Sequence, residues 1–524
     1  SVSCVGVVFP SRYEVVMEGL EMRIGIDFGT SYTAAAAYIN GAIQHILFRG
    51  ESQFRTAVFV PEKPVDMSQF DESLYVQEVA NSILSSKSSY TQKLKKYEEA
   101  ASQIRVDYRR QVRDGYLSEE EAIAKIGQAI FALNKPILRS DDDLRKAAYS
   151  EIRRRWVQAQ ISESREQSTS IDDSAVFGEE AIEEFFAYEA GRLIQSPKSM
   201  LGFKLGEPQR VAIVRIVSNV LRHIRLAACE QLGTDVTEAT IGRPVTFRSS
   251  MGEAGSKQAI CLLREAALQA GFTSVDFLAE PAAAAITYHA SSPIMRRTVI
   301  VDVGGGTTDI ALGDVGGSAS EPKIDTTWGV GKGGTDVDLG LSLKAIMPKF
   351  GKDQCLLLAP VYVNAAMVSD LNRQKEFRQT QLLGVQEPFL SRIRSLQRNG
   401  VTIRLNRDVE ALKVALSAEA QAETVLDYIE SDLSVAATRS DLEQGRERFM
   451  RSFDQLLHQV SEATANSAPV LFLTGGMSRA PYIAEAVRKH FPDSEIVNGD
   501  ASLGVVGGLA IHAAMNRSSL TVGV

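Results

Sequence analysis

The chain has 524 residues, of which 44% are hydrophobic, 23% charged and 7% aromatic, and it carries a net charge of −8. This is the composition of a globular protein with roughly two to four domains' worth of structure, and it excludes disordered, collagen-like and disulfide-scaffold chains. The acidic balance argues against nucleic acid as a main partner.

Four scattered cysteines, Cys4, Cys229, Cys261 and Cys355, show no CxxC spacing. They argue against a structural zinc site and fit a reducing cytoplasm. No apolar run approaches the ~20 residues that cross a bilayer, so no membrane partner is expected. Ser1 to Glu21 has an apolar patch, Val5 to Phe9, without a basic leader, and reads as an N-terminal extension rather than a secretory signal.

In chain order, Met22 to Tyr38 predicts strand, glycine turn and strand, with Ile43–Phe48 and Thr56–Val60 continuing a meander. From about Gln77 to Gln167 the texture turns helical and polar. Tyr97, Ile104, Tyr108 and Val112 form a thin stripe, and Asp114-Gly115 makes a turn. Ser118 with Glu121 opens a second helix through Ala132, and Ser140 opens a third with Leu144, Ala148, Ile152 and Trp156. These helices read as solvated amphipathic elements or as a partner-binding arm.

Further on, a helix is expected over Val211–Gln231, a strand over Ala239–Ile241 before Gly242-Arg243-Pro244, and a helix over Gln258–Ala270. A strand over Ser274–Leu278 leads into an alanine-rich helix after Glu280-Pro281. Thr298–Val303, Ile310–Leu312 and Val470–Leu473 are strands, and a helix follows Pro481.

One motif occurs twice: a strand ends in Asp, then glycine and threonine, then an apolar strand, at Asp27 and again at Asp302. Glycines let backbone N–H groups approach an anion, and the hydroxyls of Thr30, Ser31, Thr307 and Thr308 can donate to phosphate oxygens. The carboxylates of Asp27 and Asp302 repel phosphate but can hold Mg2+ through water, which then bridges to it. Two such loops facing each other would clamp a triphosphate. The chain contains no GxxxxGK[ST]. Gly329, Gly331 and Gly334 spell GxGxxG, but without a convincing strand ahead or a well-placed acid, so a Rossmann site is set aside. The six histidines form no cluster.

These residues resemble the DnaK-type heat-shock chaperones of the actin and sugar-kinase superfamily. Ile24 to Tyr32 is similar to their first phosphate loop and Val301 to Asp309 to the second; Ala279-Glu280-Pro281-Ala282-Ala283-Ala284 is similar to a motif carrying a glutamate near the metal. Gly333-Gly334-Thr335-Asp336-Val337-Asp338 resembles the glycine-pair segment. Glu410, Lys413 and Ser417 have the spacing of the adenosine-contacting helix, and Gly475-Gly476-Met477-Ser478-Arg479 is similar to the adenosine loop, with Asp500 at the ribose-side turn. The motifs run in family order from about Met22 to Ala514.

The resemblance implies an α/β actin-like ATPase fold: two lobes, each with a βββαβα core, a nucleotide cleft between them and a large helical insertion in the first lobe. The lobes would be 22–297, with the insert at about 77–195, and 298–499; residues 500–524 would return as a helix and tail. It implies ATP or ADP with Mg2+, with Gly29, Thr30, Ser31, Tyr32, Gly304, Gly305, Gly306 and Thr308 around the phosphates. Lys198, in Ser196-Pro197-Lys198-Ser199, is the best match to a lysine that reaches the γ-phosphate; Glu280, Asp302 and Thr307 join it as catalytic candidates.

Departures are visible. Val414 follows Lys413 where an arginine stacks on adenine in the family, so Arg479 must carry more of the stacking, and Met477 stands where a serine is usual. Ser518–Val524 lacks the linker to a peptide-binding domain, which resembles the ATPase-only YegD-type members. The expectation is a cytoplasmic chaperone-like ATPase whose Mg-ATP turnover changes the lobe angle for an unidentified partner or client, with Pro244 as a possible relay. The alternative is a nucleotide-dependent scaffold or actin-like filament subunit with little hydrolysis. A sugar kinase is a minor third reading, since no aspartate is placed to activate an acceptor.

Overall fold

The computed structural model describes residues 22–61, 67–133, 135–163, 175–188, 191–355, 357–464, 468–500 and 503–520. The expected N-terminal extension (1–21) and the end of the expected tail (521–524) lie outside them. The architecture is mixed α/β, with several sheets and many helices, and is compatible with an actin-like ATPase fold. Among the described residues no helix is long and apolar enough to cross a membrane.

Two sheets share one plan. In the first, Met22–Phe28 is central. It pairs antiparallel with Tyr32–Ile39, which pairs with Ala42–His45, and on its other side it pairs parallel with Val236–Arg243, followed by Ser274–Ala279. In the second, Arg296–Val303 is central. It pairs antiparallel with Thr308–Val315, then Lys323–Val330, and parallel with Val470–Thr474, then Ile496–Asn498. Both central strands are buried over most of their length, which suits the apolar residues Ile24 and Ile26 in the first and the run Val299-Ile300-Val301 in the second.

Two helices lie between these sheets. Glu280–Ser291 packs on the second, and Gly504–Leu520 packs on the first and against Glu280–Ser291. Small residues make this possible. A Cβ at Gly25 would stand 2.3 Å from Ala510 N, and one at Gly508 would stand 1.7 Å from the Ala283 carbonyl oxygen.

The helical insert comprises Val76–Arg113, Glu119–Ala132, Asp141–Glu163 and Gly178–Tyr188. Ser118 and Glu121 form a complete capping box, and Ser140 Oγ accepts from Asp143 N–H at 3.1 Å. Leu144, Ala148 and Ile152 are buried; the stripe at Tyr97, Ile104, Tyr108 and Val112 is half-buried.

Three expectations need correction. The strand expected over Ile43–Phe48 ends at His45, because Phe48 turns back to bridge Glu51. Ala57–Val60 leaves the meander and forms a separate sheet with Val176–Phe177 and Arg192–Gln195, while Gln53–Arg55 takes the place beside Tyr32–Ala34. A strand, Lys323–Val330, does precede the GxGxxG run, but it is antiparallel, not the parallel lead-in of a dinucleotide fold.

Candidate functional site

Asp27 and Asp302 occupy equivalent places, each near the C-terminal end of its sheet's central strand at the start of a hairpin. Asp27 lies opposite Ala34, and Asp302 opposite Asp309 and Thr474. The two hairpin turns face each other at close range. A Cβ at Gly305 would stand 2.5 Å from Ser31 Oγ, and one at Gly306 would stand 2.6 Å from Thr30 Oγ1. Only glycine lets the second turn come this near the hydroxyls of the first. The glycine-pair segment docks on the second turn: Gly334 N–H donates to the Gly304 carbonyl at 3.1 Å and Thr335 N–H to that of Gly305 at 2.8 Å.

Lys198 reaches the same place from far along the chain through the small separate sheet. Arg192–Gln195 pairs with Ala57–Val60, Thr56 N–H bonds the Ser31 carbonyl, and Ser196 N–H bonds the Thr56 carbonyl. The 3-10 turn Pro197–Met200 then carries the buried lysine beneath the loops, where its ammonium donates to Glu280. Glu280 opens its helix directly after the strand Ser274–Ala279, with Pro281 at the first turn.

Four carboxylates, Asp27, Glu280, Asp302 and Asp309, thus gather around one lysine. Burial, with Glu280 nearby, pushes Asp27 and Asp309 each up to about 7. Burial and the neighbouring carboxylates hold Asp302 well above the usual range. Burial alone would lower Lys198, but Glu280 and Asp27 more than offset it and keep the ammonium charged. The cluster is short of positive charge. Among the described residues no group of three or more His, Cys, Asp or Glu is set to ligate a metal directly. Four carboxylates facing one ammonium leave an excess of negative charge that a divalent cation would offset.

Above this cluster lies a cavity of about 430 Å3. Gly29, Thr30, Ser31, Tyr32, Gly304, Gly305, Gly306 and Thr307 line its loop end together with Lys198, Glu280 and both loop aspartates. Gly334, Glu410, Lys413, Gly475, Gly476, Met477 and Arg479 line the rest. Four expected residues do not line it. Thr308 is buried and its hydroxyl donates to the Lys332 carbonyl at 2.9 Å. Gly333 supports the second turn from behind, 2.5 Å from the Gly304 oxygen by its would-be Cβ. Ser417 Oγ donates back to the Lys413 carbonyl. Asp500 accepts from Leu503 N–H and, through its carbonyl, from Thr474 Oγ1.

The structure also brings in residues that the motifs did not single out. Arg55 bonds Tyr32 Oη at 3.2 Å, Glu410 at 3.0 Å and Glu179 at 3.0 Å, and lies over the Tyr32 ring. Arg248 holds Asp336 with both Nη atoms and Thr335 with one. Asp309 accepts from Val245 N–H at 2.6 Å, which ties the Pro244 turn to the carboxylate cluster. Asp309 and Asp338 lay inside quoted motifs, so spacing could have flagged them; nothing local marks Arg55 or Arg248.

Paired glycine hairpins over a lysine–carboxylate floor make a cavity suited to a polyanion accompanied by a cation. Among known families, the model described as "Hsp70 protein" matches residues 181–359, roughly a third of the chain. The matched stretch carries Lys198, Glu280, the Asp302 loop and the glycine pair, and leaves out the Asp27 loop and residues 410–479. This match supports an Hsp70-type actin-like ATPase and, at the family level, a chaperone-like ATP-binding protein.

Proposed function

We propose that the chain binds Mg-ATP in this cavity and hydrolyses it slowly, and that turnover changes the angle between two lobes, each built on one of the two sheets. The observation that carries the reading is the contact between the two glycine hairpins directly over Lys198 and the carboxylates. Backbone N–H groups and the Thr30, Ser31 and Thr307 hydroxyls hold the phosphates, and Asp27 and Asp302 hold the hydrated magnesium. Bound magnesium supplies positive charge to the phosphate oxygens. Lys198 offsets charge on the terminal phosphoryl group and orients the attacking water, while Glu280 holds the ammonium in place and is positioned to accept a proton. The Val245–Asp309 bond gives the Pro244 turn a direct route to sense the loop.

A client or partner protein reads the lobe angle. Large apolar side chains stand exposed on the helical insert: Leu84 at 67%, Tyr116 at 80% and Ile123 at 71%. They favour the insert as the contact surface and keep open a second reading, in which nucleotide binding serves assembly rather than turnover. Phosphate release from Mg-ATP separates the two. Lys198→Ala and Asp302→Asn should each lower turnover about a hundredfold, with ATP binding retained in Lys198→Ala. Wild-type chain that binds ATP but releases no more phosphate than the variants would transfer the function to the assembly reading.

A further inference from the structure

A groove of about 1030 Å3 runs beside the last helix of the insert. Gly178, at φ +78°, turns the chain from the strand Val176–Phe177 directly into the helix Gly178–Tyr188. That helix buries Ala181, Ile182 and Phe185 in the core beneath it. The remaining positions of its first turns, Glu179, Glu180, Glu183 and Glu184, line the groove, and Glu51 and Glu230 join them from other elements. The floor is aromatic. The Phe177 ring stacks on His223 at 4.5 Å between centroids, and Phe48 and Phe54 pack against the same imidazole at 5.6 and 5.5 Å. Burial and Arg49 hold His223 below its usual range, so the imidazole is uncharged at neutral pH. Leu47, 46% exposed, adds a further apolar side chain. Against the six glutamates the groove sets two arginines, Arg49 paired with Glu180 and Arg55 with Glu179.

We propose that this groove docks a basic segment of a partner protein, one that alternates arginine or lysine with apolar side chains. The inference rests on the reading of the insert as the contact surface and names the chemistry of what it contacts. Charge complementarity selects the occupant, because an acidic wall draws cations and repels acidic chains. The half-buried rings of Phe54 and Phe177 leave aromatic surface that attracts a guanidinium or ammonium group. Those rings and Leu47 also offer apolar area that a purely hydrophilic cation leaves uncovered. The volume, about 1030 Å3 against about 430 Å3 for the nucleotide cavity, suits a peptide rather than a small cation. Glu179 ties the groove to that cavity, since its partner Arg55 reaches on to Glu410 at 3.0 Å.

The test is fluorescence anisotropy with the full chain and three short labelled peptides, alternating arginine with leucine, arginine with serine, and glutamate with leucine. The arginine–leucine peptide should bind saturably and about tenfold more tightly than either of the others. Glu183→Gln combined with Glu230→Gln should weaken it about fivefold, as should Leu47→Ser. Glu119→Gln combined with Glu120→Gln removes the same charge from exposed positions of the insert that do not line the groove, and should leave binding unchanged. Equal weakening by the two glutamate pairs, or displacement by spermine as readily as by unlabelled peptide, would reveal unspecific attraction to cations and overturn the proposal. No saturable binding would also overturn it, and would leave the ATPase reading to stand or fall on phosphate release.

Discussion

Gly475 has φ +84° and ψ 153°, and a Cβ there would stand 2.3 Å from Asp302 Oδ1 and 2.5 Å from the Val303 carbonyl oxygen. That backbone region is essentially reserved for glycine, so Gly475→Ala should destabilise the chain by about 1–3 kcal/mol from the backbone alone. It should also weaken nucleotide binding by displacing Asp302. Its neighbour Gly476 meets nothing within 4 Å, and Gly476→Ala should leave the unfolding midpoint in denaturant unchanged. Equal midpoints for the two variants would count against this account. The pair shows where sequence reading stops: the Gly-Gly spacing marks the loop, yet only the fold shows which of the two presses on the carboxylate. Thr307 and Thr308 make the same point: Thr307, in the turn, lines the cavity, while Thr308, the first residue of the strand, is buried with its hydroxyl turned to Lys332.

The helical insert was legible as an element, because capping residues and amphipathic stripes are local signals. Its docking was not. Lys93 pairs with Asp432, Arg139 pairs with Asp427 at 3.0 Å, Arg407 pairs with Glu179, and Arg404 lies 5.6 Å from the Phe186 ring centroid. Each joins residues far apart in the chain, or lies in a helix whose sequence carries no mark of its partner. The partners of strand Ala57–Val60 escaped for a similar reason, since they lie far along the chain at Val176–Phe177 and Arg192–Gln195. Within the insert, Glu184 is buried beside Arg153, and burial pushes its carboxyl up to about 7 from 4.5 despite the arginine. Between those values the folded chain keeps a proton that the unfolded chain has released. Stability from this group therefore falls as pH rises from 4.5 through 7, and is regained on acidification across that window. Glu184→Gln keeps an acceptor for Arg153 and should raise the thermal midpoint at pH 8 while leaving it nearly unchanged at pH 4.5. A midpoint gain of equal size at both pH values would sink the assignment.

At the scale of the whole molecule, the repeated sheet plan was visible in outline, as two Asp–Gly–Thr motifs each between strands, while the way the two sheets are joined was not. They meet through the helices Glu280–Ser291 and Gly504–Leu520, whose closest crossing is Gly508 against the Ala283 backbone. Gly508→Ala should force the helices apart, at a cost of about 1–3 kcal/mol for overpacking, and spread the two hairpins. Denaturant unfolding and nucleotide affinity should both register it; a variant unaltered in both would show that the crossing is slack. Ala283, Ala284 and Ala285 are fully buried, and among the described polar groups Thr287 Oγ1 to the Gly504 carbonyl, at 2.6 Å, is a hydrogen bond that spans the pair. Short side chains at the crossing let the two helix backbones approach closely. The crossing is buried and central, so any change made there is magnified with distance and registers most at the rim, where the hairpins and the insert stand.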